Sequence, residues 1–329
     1  MKMAAYTRRI QLTGGSTYII SLPSKWIREN RLEKGSELSI DETNGNLLIS
    51  QASQGKNELV KTINLEGKVD LDNFQRALTS LYIADFDTLV IRSSQYIDDS
   101  LRETVKKFSR LVMGVEIFEE SSRTIVLQNV LDTSSFPMAN AVRRMSLNVE
   151  TMLGDVIKGI EDNDTKLLES VISRDDDVDR YQLYVYRMVN RRKNEAENSI
   201  YYLIFSRILE RIADHAVNIC RIWTSSEHKR DDGKAAIVEF MKKATYLYNS
   251  SVESFYAKKF ELLNSIISKK PVFIEEKQAL MEGAADSDFS HYTSSISEEA
   301  LRVALYATDI AELAMDLILG NKLDFTISS

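Results

Sequence analysis

The chain has 329 residues, of which 43% are hydrophobic and 28% charged, and its formal net charge is −7. Its 12 glycines and 3 prolines are too few for a fibrous or disordered class, and the length leaves room for two or three domains. Cys220 is the only cysteine, which excludes a disulfide framework within the chain. No apolar run approaches the roughly 20 residues needed to cross a bilayer. We therefore expect a soluble cytoplasmic protein without membrane insertion.

Charge is unevenly distributed along the chain. Up to Lys34 there are seven basic residues against two acidic ones, a balance of 7 − 2 = +5, so the remainder sums to −7 − 5 = −12. A basic head on an acidic body indicates that the head is the part that meets a polyanion. The basic residues are Lys2, Arg8, Arg9, Lys25, Arg28, Arg31 and Lys34.

Residues 1–53 are predicted to form a compact β-rich module. Short strands are expected at Tyr6–Gln11 and Thr17–Ser21, around a turn that contains Gly14 and Gly15. Pro23 begins a short helix, and the Asn-Gly pair at 44–45 predicts a hairpin between the last two strands. About fifty residues make a marginal core, so this module is expected to dimerise.

A polar linker is predicted at 51–57, followed by a small α/β domain over residues 57–132. Strands are expected at 59–63, 88–91, 115–119 and 124–127, and helices at 70–84 and 98–110. Asp70 and Asp98 are the expected N-caps of the two helices. This order predicts a sheet with helices on one face, and no phosphate loop or nucleophile motif occurs in it. A spacer or a dimerisation unit is the favoured interpretation.

The remaining residues are predicted to form two three-helix bundles, over 136–226 and 233–321, which makes the protein multidomain and mainly α. The two halves are related by an offset of 95 residues, which aligns 167–173 with 262–268 and Asp214 with Asp309. Short loops between long helices imply antiparallel neighbours. The expected helices are 138–161, 165–192, 195–223, 234–257, 258–281 and 294–320.

Two pairs of carboxylates, each with a four-residue spacing, lie on neighbouring helices of the first bundle. Asp175 and Asp179 form one pair, and Glu210 and Asp214 form the other. The second pair is predicted to lie on a face turned well away from the apolar stripe at Ile204, Ile208, Ile212 and Ile219. Antiparallel packing would place the pairs at similar heights. An oxygen-only cluster suits Mg, Ca, Mn or non-haem Fe better than Zn.

The competing interpretation is a solvated acidic face without any metal, which charge runs usually form. Arg180, Arg187 and Arg207 are candidates to neutralise the acids, and Asp176 and Asp177 are expected to face solvent. His215 is expected to be a packed or supporting histidine rather than a ligand.

The N-terminal module resembles the AbrB/SpoVT swapped-hairpin DNA-binding family in the stretches RRIQLTGGSTYIISLPSKW and RLEKGSELSI and in the closing Asn-Gly hairpin. The resemblance implies that two chains interleave their hairpins and that the basic first strand and loop lie on DNA. Arginine and lysine suit phosphates, and arginine and glutamine can also contact base edges. The residues to which this role is carried over are Arg8, Arg9, Gln11, Thr13, Ser16, Thr17 and Lys25.

The helical part resembles the PhoU family of phosphate-uptake regulators, through RDDDVDR paired with RILERIADHAVNI in a repeated three-helix bundle. The resemblance implies a metal at Asp175, Asp179, Glu210 and Asp214. Fe, Mn, Mg and Zn are not distinguished, although Fe or Mg is favoured. The second half departs from the pattern, because Lys270 replaces Asp175 and Leu305 replaces Glu210, so a second metal cluster is not expected.

An AbrB-like head on a PhoU-like body resembles an archaeal regulator of phosphate uptake. The leading hypothesis is a homodimeric, DNA-binding transcriptional regulator that senses phosphate status through a metal or a protein partner. The alternative is an adaptor that represses an ABC-type phosphate transporter or a signalling kinase and uses the head only to dimerise. An enzyme ranks last, because no Glu-x-x-His motif and no nucleophile arrangement occurs.

Overall fold

The computed structural model describes residues 6–43, 45–51, 58–132, 136–191, 198–225, 233–284 and 290–320. The chain divides into two compact units, residues 1–58 and residues 59–329. Residues 52–57 of the linker predicted at 51–57 lie outside the described residues.

The described residues of the first unit form two antiparallel hairpins and one short helix. Strands β1 (Gln11–Thr13) and β2 (Thr17–Ile19) form the first hairpin, helix α1 spans Ser24–Glu29, and β3 (Leu38–Thr43) pairs with β4 (Asn46–Gln51). The first two strands are shorter than predicted, since Tyr6 to Ile10 lie outside them. Gly14 and Gly15 have φ angles of 60° and 83°, which explains why the turn requires glycine.

This unit exposes most of its apolar side chains. Leu32 is its one buried hydrophobic residue among the side chains that the structure describes. Leu12 and Tyr18 are 59% and 73% exposed, and Ile40 and Leu47 are also exposed. A single copy of the unit therefore has almost no core of its own.

The sequence prediction for the α/β part is confirmed element by element. Strands β5 (Val60–Leu65), β6 (Thr88–Ser93), β7 (Val115–Glu120) and β8 (Thr124–Asn129) form a sheet of order β5-β6-β8-β7. Helices α2 (Leu71–Ile83) and α3 (Asp99–Leu111) begin after Asp70 and Asp98, whose carboxylates accept backbone hydrogen bonds at 2.8 Å and 2.9 Å. β5 and β6 are parallel, and the other two pairs are antiparallel.

In the described residues from 136 onward there are eight helices, which fall into two sets of four with the same order of lengths. The first set is α4 (Met138–Glu161), α5 (Thr165–Ser173), α6 (Asp175–Arg191) and α7 (Ser199–Ser225). The second set is α8 (Lys234–Ala257), α9 (Phe260–Ile267), α10 (Lys269–Ala284) and α11 (Ser290–Gly320). Both sets contribute to one hydrophobic core.

The prediction of a continuous second helix in each half is wrong, because each is broken, at Arg174 and at Ser268. Arg174 corresponds to Lys269 under the 95-residue offset, so the two breaks agree to within one residue and the repeat includes the break. Pro271 falls in the first turn of α10, where a missing N–H costs no helical hydrogen bond. In the first half, the backbone N–H of Asp177 donates to the carbonyl of Arg174 at 3.1 Å, so that a tight turn starts α6.

The predicted apolar stripe of α7 is only partly buried. Ile212 and Ile219 lie in the core, but Ile204 is 42% exposed. The buried face instead follows Phe205, Leu209, Ala213 and Ala216, and is therefore rotated from the isoleucine stripe.

Arg187 of α6 attaches the helices to the α/β part, and it is fully buried. Its Nε donates to Asp85 at 2.8 Å, and its Nη2 donates to the backbone carbonyl of Phe86 at 2.7 Å. The guanidinium also lies over the ring of Tyr82, 4.8 Å from its centroid. One turn further on, Arg191 pairs with Asp85 and Asp87. This cluster makes α6 the joint between sheet and bundle.

No helix within the described parts of the chain has the length and apolar character needed to span a membrane.

Asp85→Asn is expected to lower the free energy of unfolding by about 3 kcal/mol, because it removes the charge that balances a buried guanidinium. Asparagine tolerates the positive φ of 65° at this position, so backbone strain does not add to the effect. Chemical denaturation of the variant measures the loss. Glu103→Gln, at an exposed position of α3, is the control and should change stability by no more than about 0.5 kcal/mol. If Asp85→Asn lowered the free energy of unfolding no more than the control does, Asp85 would not be the group that stabilises the buried Arg187.

Candidate functional site

The break before α6 positions the first pair of predicted metal ligands. Asp175 is the first residue of α6, and Asp179 lies one turn later. Carboxylates in the first turn of a helix are stabilised by the helix dipole, which explains why an acidic run can start a helix here. Glu210 and Asp214 lie at mid-length on α7, which packs against α6.

The four predicted ligands lie close enough to perturb one another. Burial and the nearby carboxylate of Asp214 raise the pKa of Asp175 to about 6. Burial and the carboxylates of Asp175 and Glu210 raise the pKa of Asp179 to about 7. Burial and the charge of Asp214 also raise the pKa of Glu210. Packing thus brings these carboxylates together in a partly dehydrated environment, where the charged form of each is disfavoured.

One carboxylate oxygen of Asp175, Oδ1, is buried without a hydrogen-bond donor. Buried carboxylate oxygens are normally paired, and an oxygen-only donor set suits a hard cation. In the described residues, however, no three His, Cys, Asp or Glu side chains converge tightly enough to hold one ion. Binding would therefore require these half-buried carboxylates to change rotamer.

Nearby arginines compensate the acids only in part. Arg207 and Arg211 lower the pKa of Glu210, but the net shift is still upward, since burial and like charge prevail. The suggestion that Arg187 neutralises the cluster is wrong, because Arg187 is buried against Asp85. Arg180 lines a cleft that faces α3.

His215 turns away from the acids next to it in sequence. Its Nδ1 lies 2.6 Å from Oε2 of Glu299 on α11, and its ring stacks on Tyr306 with the centroids 5.6 Å apart. Asn218 donates to the same carboxylate oxygen at 3.3 Å. As predicted, the histidine packs between helices, where it links α7 to α11.

The second half replaces the first acid pair with a lysine. Burial raises the pKa of Asp309, and the ammonium of Lys270 lowers it. Asp309 corresponds to Asp214 under the 95-residue offset, and Lys270 corresponds to Asp175. A cation of the chain itself therefore acts on the acid that remains in this half.

All seven residues predicted to contact DNA are exposed in the first unit. Gln11 pairs with Ile19 and Thr13 with Thr17, and directly paired residues share one face of a hairpin. Leu12 and Tyr18 form a pair on the opposite face. The hairpin therefore has one mainly polar face and one apolar face.

The single cysteine is unsuited to nucleophilic chemistry. Cys220 is buried, and burial raises the pKa of its thiol to about 12. A thiol in that environment is protonated at neutral pH.

Asp179→Asn is expected to stabilise metal-free protein at pH 8. A carboxyl whose pKa is higher in the folded than in the unfolded state lowers stability as pH rises from about 4 through about 7. The amide removes this penalty, so the gain should be about 1 kcal/mol at pH 8, discounted for solvent screening, and should vanish near pH 4.

Denaturation in the presence of a chelator at both pH values measures this gain. Asp177→Asn, in the same turn but exposed, is the control and should show no such pH dependence. An Asp179→Asn variant that is equally stabilised at both pH values would rule out the electrostatic origin.

Two family models match parts of the chain. Residues 142–223 match the PhoU domain, and residues 11–57 match the antidote-toxin recognition domain of MazE, a bacterial antitoxin. Comparison with curated protein sequences gave no match.

Two solved structures resemble the chain in fold. PhoU from Pseudomonas aeruginosa is 19% identical, with a TM-score of 0.49, over 56% of this chain and 96% of that one. The phosphate transport system regulatory protein PhoU from Streptococcus pneumoniae is 16% identical, with a TM-score of 0.49, over 57% of this chain and 96% of that one.

The first matched segment contains all four acids and the helices that carry them, and the second contains the β1–β2 hairpin. Both predicted resemblances are thereby confirmed at the level of the domain. The PhoU-domain match thus lies in the first half of the helical part, and the match to a MazE/AbrB-like antitoxin domain lies at the N-terminal end.

Proposed function

We propose that the protein is a DNA-binding transcriptional regulator of phosphate uptake that acts as a homodimer. The main support for this proposal is the β1–β2 hairpin, which has one polar and one apolar face and lies in a basic N-terminal segment. A polar face with Gln11, Thr13 and Thr17 offers hydrogen bonds to DNA, and Arg8 and Arg9 precede it in the sequence. Ser16 and Lys25 extend the same set of exposed polar groups.

The opposite face supports dimerisation. Leu12 and Tyr18 are largely exposed in a single copy, and so are Ile10 and Ile20 beside them. Apolar side chains that a fifty-residue module cannot bury within itself favour a second copy of the same module. Interleaved hairpins would bury these side chains and leave the polar faces of both copies outward.

The PhoU domain is proposed to contribute a metal at Asp175, Asp179, Glu210 and Asp214. The raised pKa values and the unpartnered Oδ1 of Asp175 support a cation there. A divalent or trivalent ion, with Fe or Mg favoured, would neutralise the crowded carboxylates and hold α6 against α7. An ion can alter DNA binding only if it favours one arrangement of the protein over another.

DNA binding by wild-type protein should weaken steeply with salt, because bound phosphates release counterions. Arg8→Glu/Arg9→Glu should lower affinity at least about tenfold at physiological salt and reduce the salt slope by about 2, while the dimer persists. Fluorescence anisotropy and light scattering measure the two properties. Lys158→Glu/Lys166→Glu, an equal charge reversal on exposed positions of the helical body, is the control and should bind as wild type. Absence of salt-sensitive DNA binding by the wild type would refute the proposal.

Metal content should collapse in Glu210→Ala/Asp214→Ala, because these acids supply half of the proposed donor set. Elemental analysis of protein purified without a metal-affinity column measures it. Asp309→Ala/Glu312→Ala makes the matched change in the second half and should leave the content unchanged. Equal metal content in the wild type and both variants would exclude the first-half acids as ligands.

A second candidate function is an adaptor that binds a phosphate transporter or a signalling protein. A groove of about 490 Å³ between α8 and α10 favours it, because Tyr246 is 75% exposed there, beside Val272 and Phe273. Exposed aromatic side chains in an apolar groove are typical of protein contacts. If Arg8→Glu/Arg9→Glu abolished DNA binding and left regulation intact, the adaptor would be favoured.

A further inference from the structure

A cleft between the α/β part and the bundle is lined mainly by cations. It has a volume of about 300 Å³ and lies between α2 and α3 on one side and the first turns of α6 on the other. Its charged lining comprises Lys107, Arg110 and Arg180 against one carboxylate, that of Asp176, which leaves a formal balance of 3 − 1 = +2. Gln75 and Leu111 complete the wall.

The guanidinium of Arg180 is incompletely paired. Its Nε is buried and has no hydrogen-bond acceptor. A buried N–H group without a hydrogen-bond acceptor destabilises the fold, and buried guanidinium groups normally pair with a carboxylate or another oxyanion. Lys107 and Arg110, which lie on the facing helix, have no partner among the described residues.

We propose that this cleft binds a small tetrahedral oxyanion, with orthophosphate as the ligand that fits its chemistry best. Arginine offers a fork of N–H donors and lysine a point charge, and both are suited to phosphate oxygens. The cleft is also at the N-terminal end of α6, where the helix dipole favours an anion.

Asp176 gives the cleft a reason to prefer phosphate to sulfate. A carboxylate repels any anion, but it accepts a hydrogen bond from one that carries a proton. Orthophosphate is protonated at neutral pH and sulfate is not. The carboxylate of Asp176 therefore weakens the binding of sulfate more than the binding of phosphate. With sulfate, this acceptor is left without a hydrogen bond, and the site discriminates against sulfate for that reason.

The cleft and the acid cluster lie on different faces of the same helix. Asp176 and Arg180 are four residues apart and line the cleft, whereas Asp175 and Asp179 interact with the acids of α7. An anion bound in the cleft would link Arg180 of α6 to Lys107 and Arg110 of α3. Any regulatory use of that effect rests on the proposed function, but the binding of the anion does not.

Isothermal titration of the full chain with inorganic phosphate, at constant ionic strength and in the presence of a chelator, tests the proposal. The chelator removes any metal at the acid cluster to which phosphate could bind instead. Wild-type protein should bind phosphate, and Lys107→Ala/Arg110→Ala should bind at least about tenfold more weakly. Lys106→Ala is the matched control, because Lys106 is exposed on the same helix but does not line the cleft, and it should bind as wild type.

Sulfate and adenosine monophosphate are the comparison ligands. Sulfate should bind more weakly than phosphate, and Asp176→Asn should narrow that difference. Tighter binding of the nucleotide than of inorganic phosphate, with the same loss in Lys107→Ala/Arg110→Ala, would support the oxyanion site and identify a phosphomonoester as its ligand.

Absence of phosphate binding at millimolar concentrations, or equal binding by wild type and Lys107→Ala/Arg110→Ala, would overturn the proposal. Both substituted residues are exposed, and circular dichroism establishes that the variant is folded. DNA binding of the same variant without phosphate is measured separately. It should equal that of the wild type, so failure of the cleft and failure of DNA binding are distinguishable.

Discussion

The buried guanidinium of Arg187 holds helix α6 against the α/β domain, and the other features of α6 depend on that attachment. A fully buried arginine is tolerable only because Asp85 and the carbonyl of Phe86 accept its hydrogen bonds and Tyr82 lies beneath it. The contact holds α6 against the α/β domain, while α6 also packs on α4 and α7. These contacts together set which side chains of α6 face α7 and which face α3.

Helix α6 combines three kinds of electrostatic environment along its length. At its start, one face presents carboxylates to α7, and another face presents Asp176 and Arg180 to the cleft. At its end, Arg187 and Arg191 form ion pairs with the α/β domain. The crowded acids oppose close packing of α6 on α7, whereas the arginine contacts secure α6 to the sheet. A cation at the acids and an anion in the cleft would each relieve an unbalanced charge on the same helix. That arrangement gives a physical route by which ligands on different faces influence each other.

The two halves of the helical body keep one architecture and differ in charge. Both have the break in the second helix, at Arg174 and Ser268, so the break belongs to the repeated unit. The first half gathers four acids, whereas in the second half Lys270 acts on Asp309. Burial still raises the pKa of Asp309 overall, although the ammonium of Lys270 opposes that rise.

The amino-acid sequence by itself determined most of the fold and the candidate metal ligands. Nearly every helix and strand was predicted from patterns that the sequence contains by itself. These patterns are the hydrophobic periodicity, the N-caps at Asp70 and Asp98, and the 95-residue repeat. The four-residue spacing of the acids identified both pairs, because neighbouring positions on a helix follow from its geometry alone.

Only the tertiary structure decided what Arg187, Arg180 and Ile204 do. Arg187 meets Asp85 across 102 residues of sequence, and the cleft at Arg180 exists because α3 and α6, which are distant in sequence, lie next to each other in the fold. Ile204 is exposed because the buried face of α7 follows Phe205, Leu209, Ala213 and Ala216. Side-chain pairing between distant segments has no local pattern, since it depends on how rigid elements dock rather than on how each one forms.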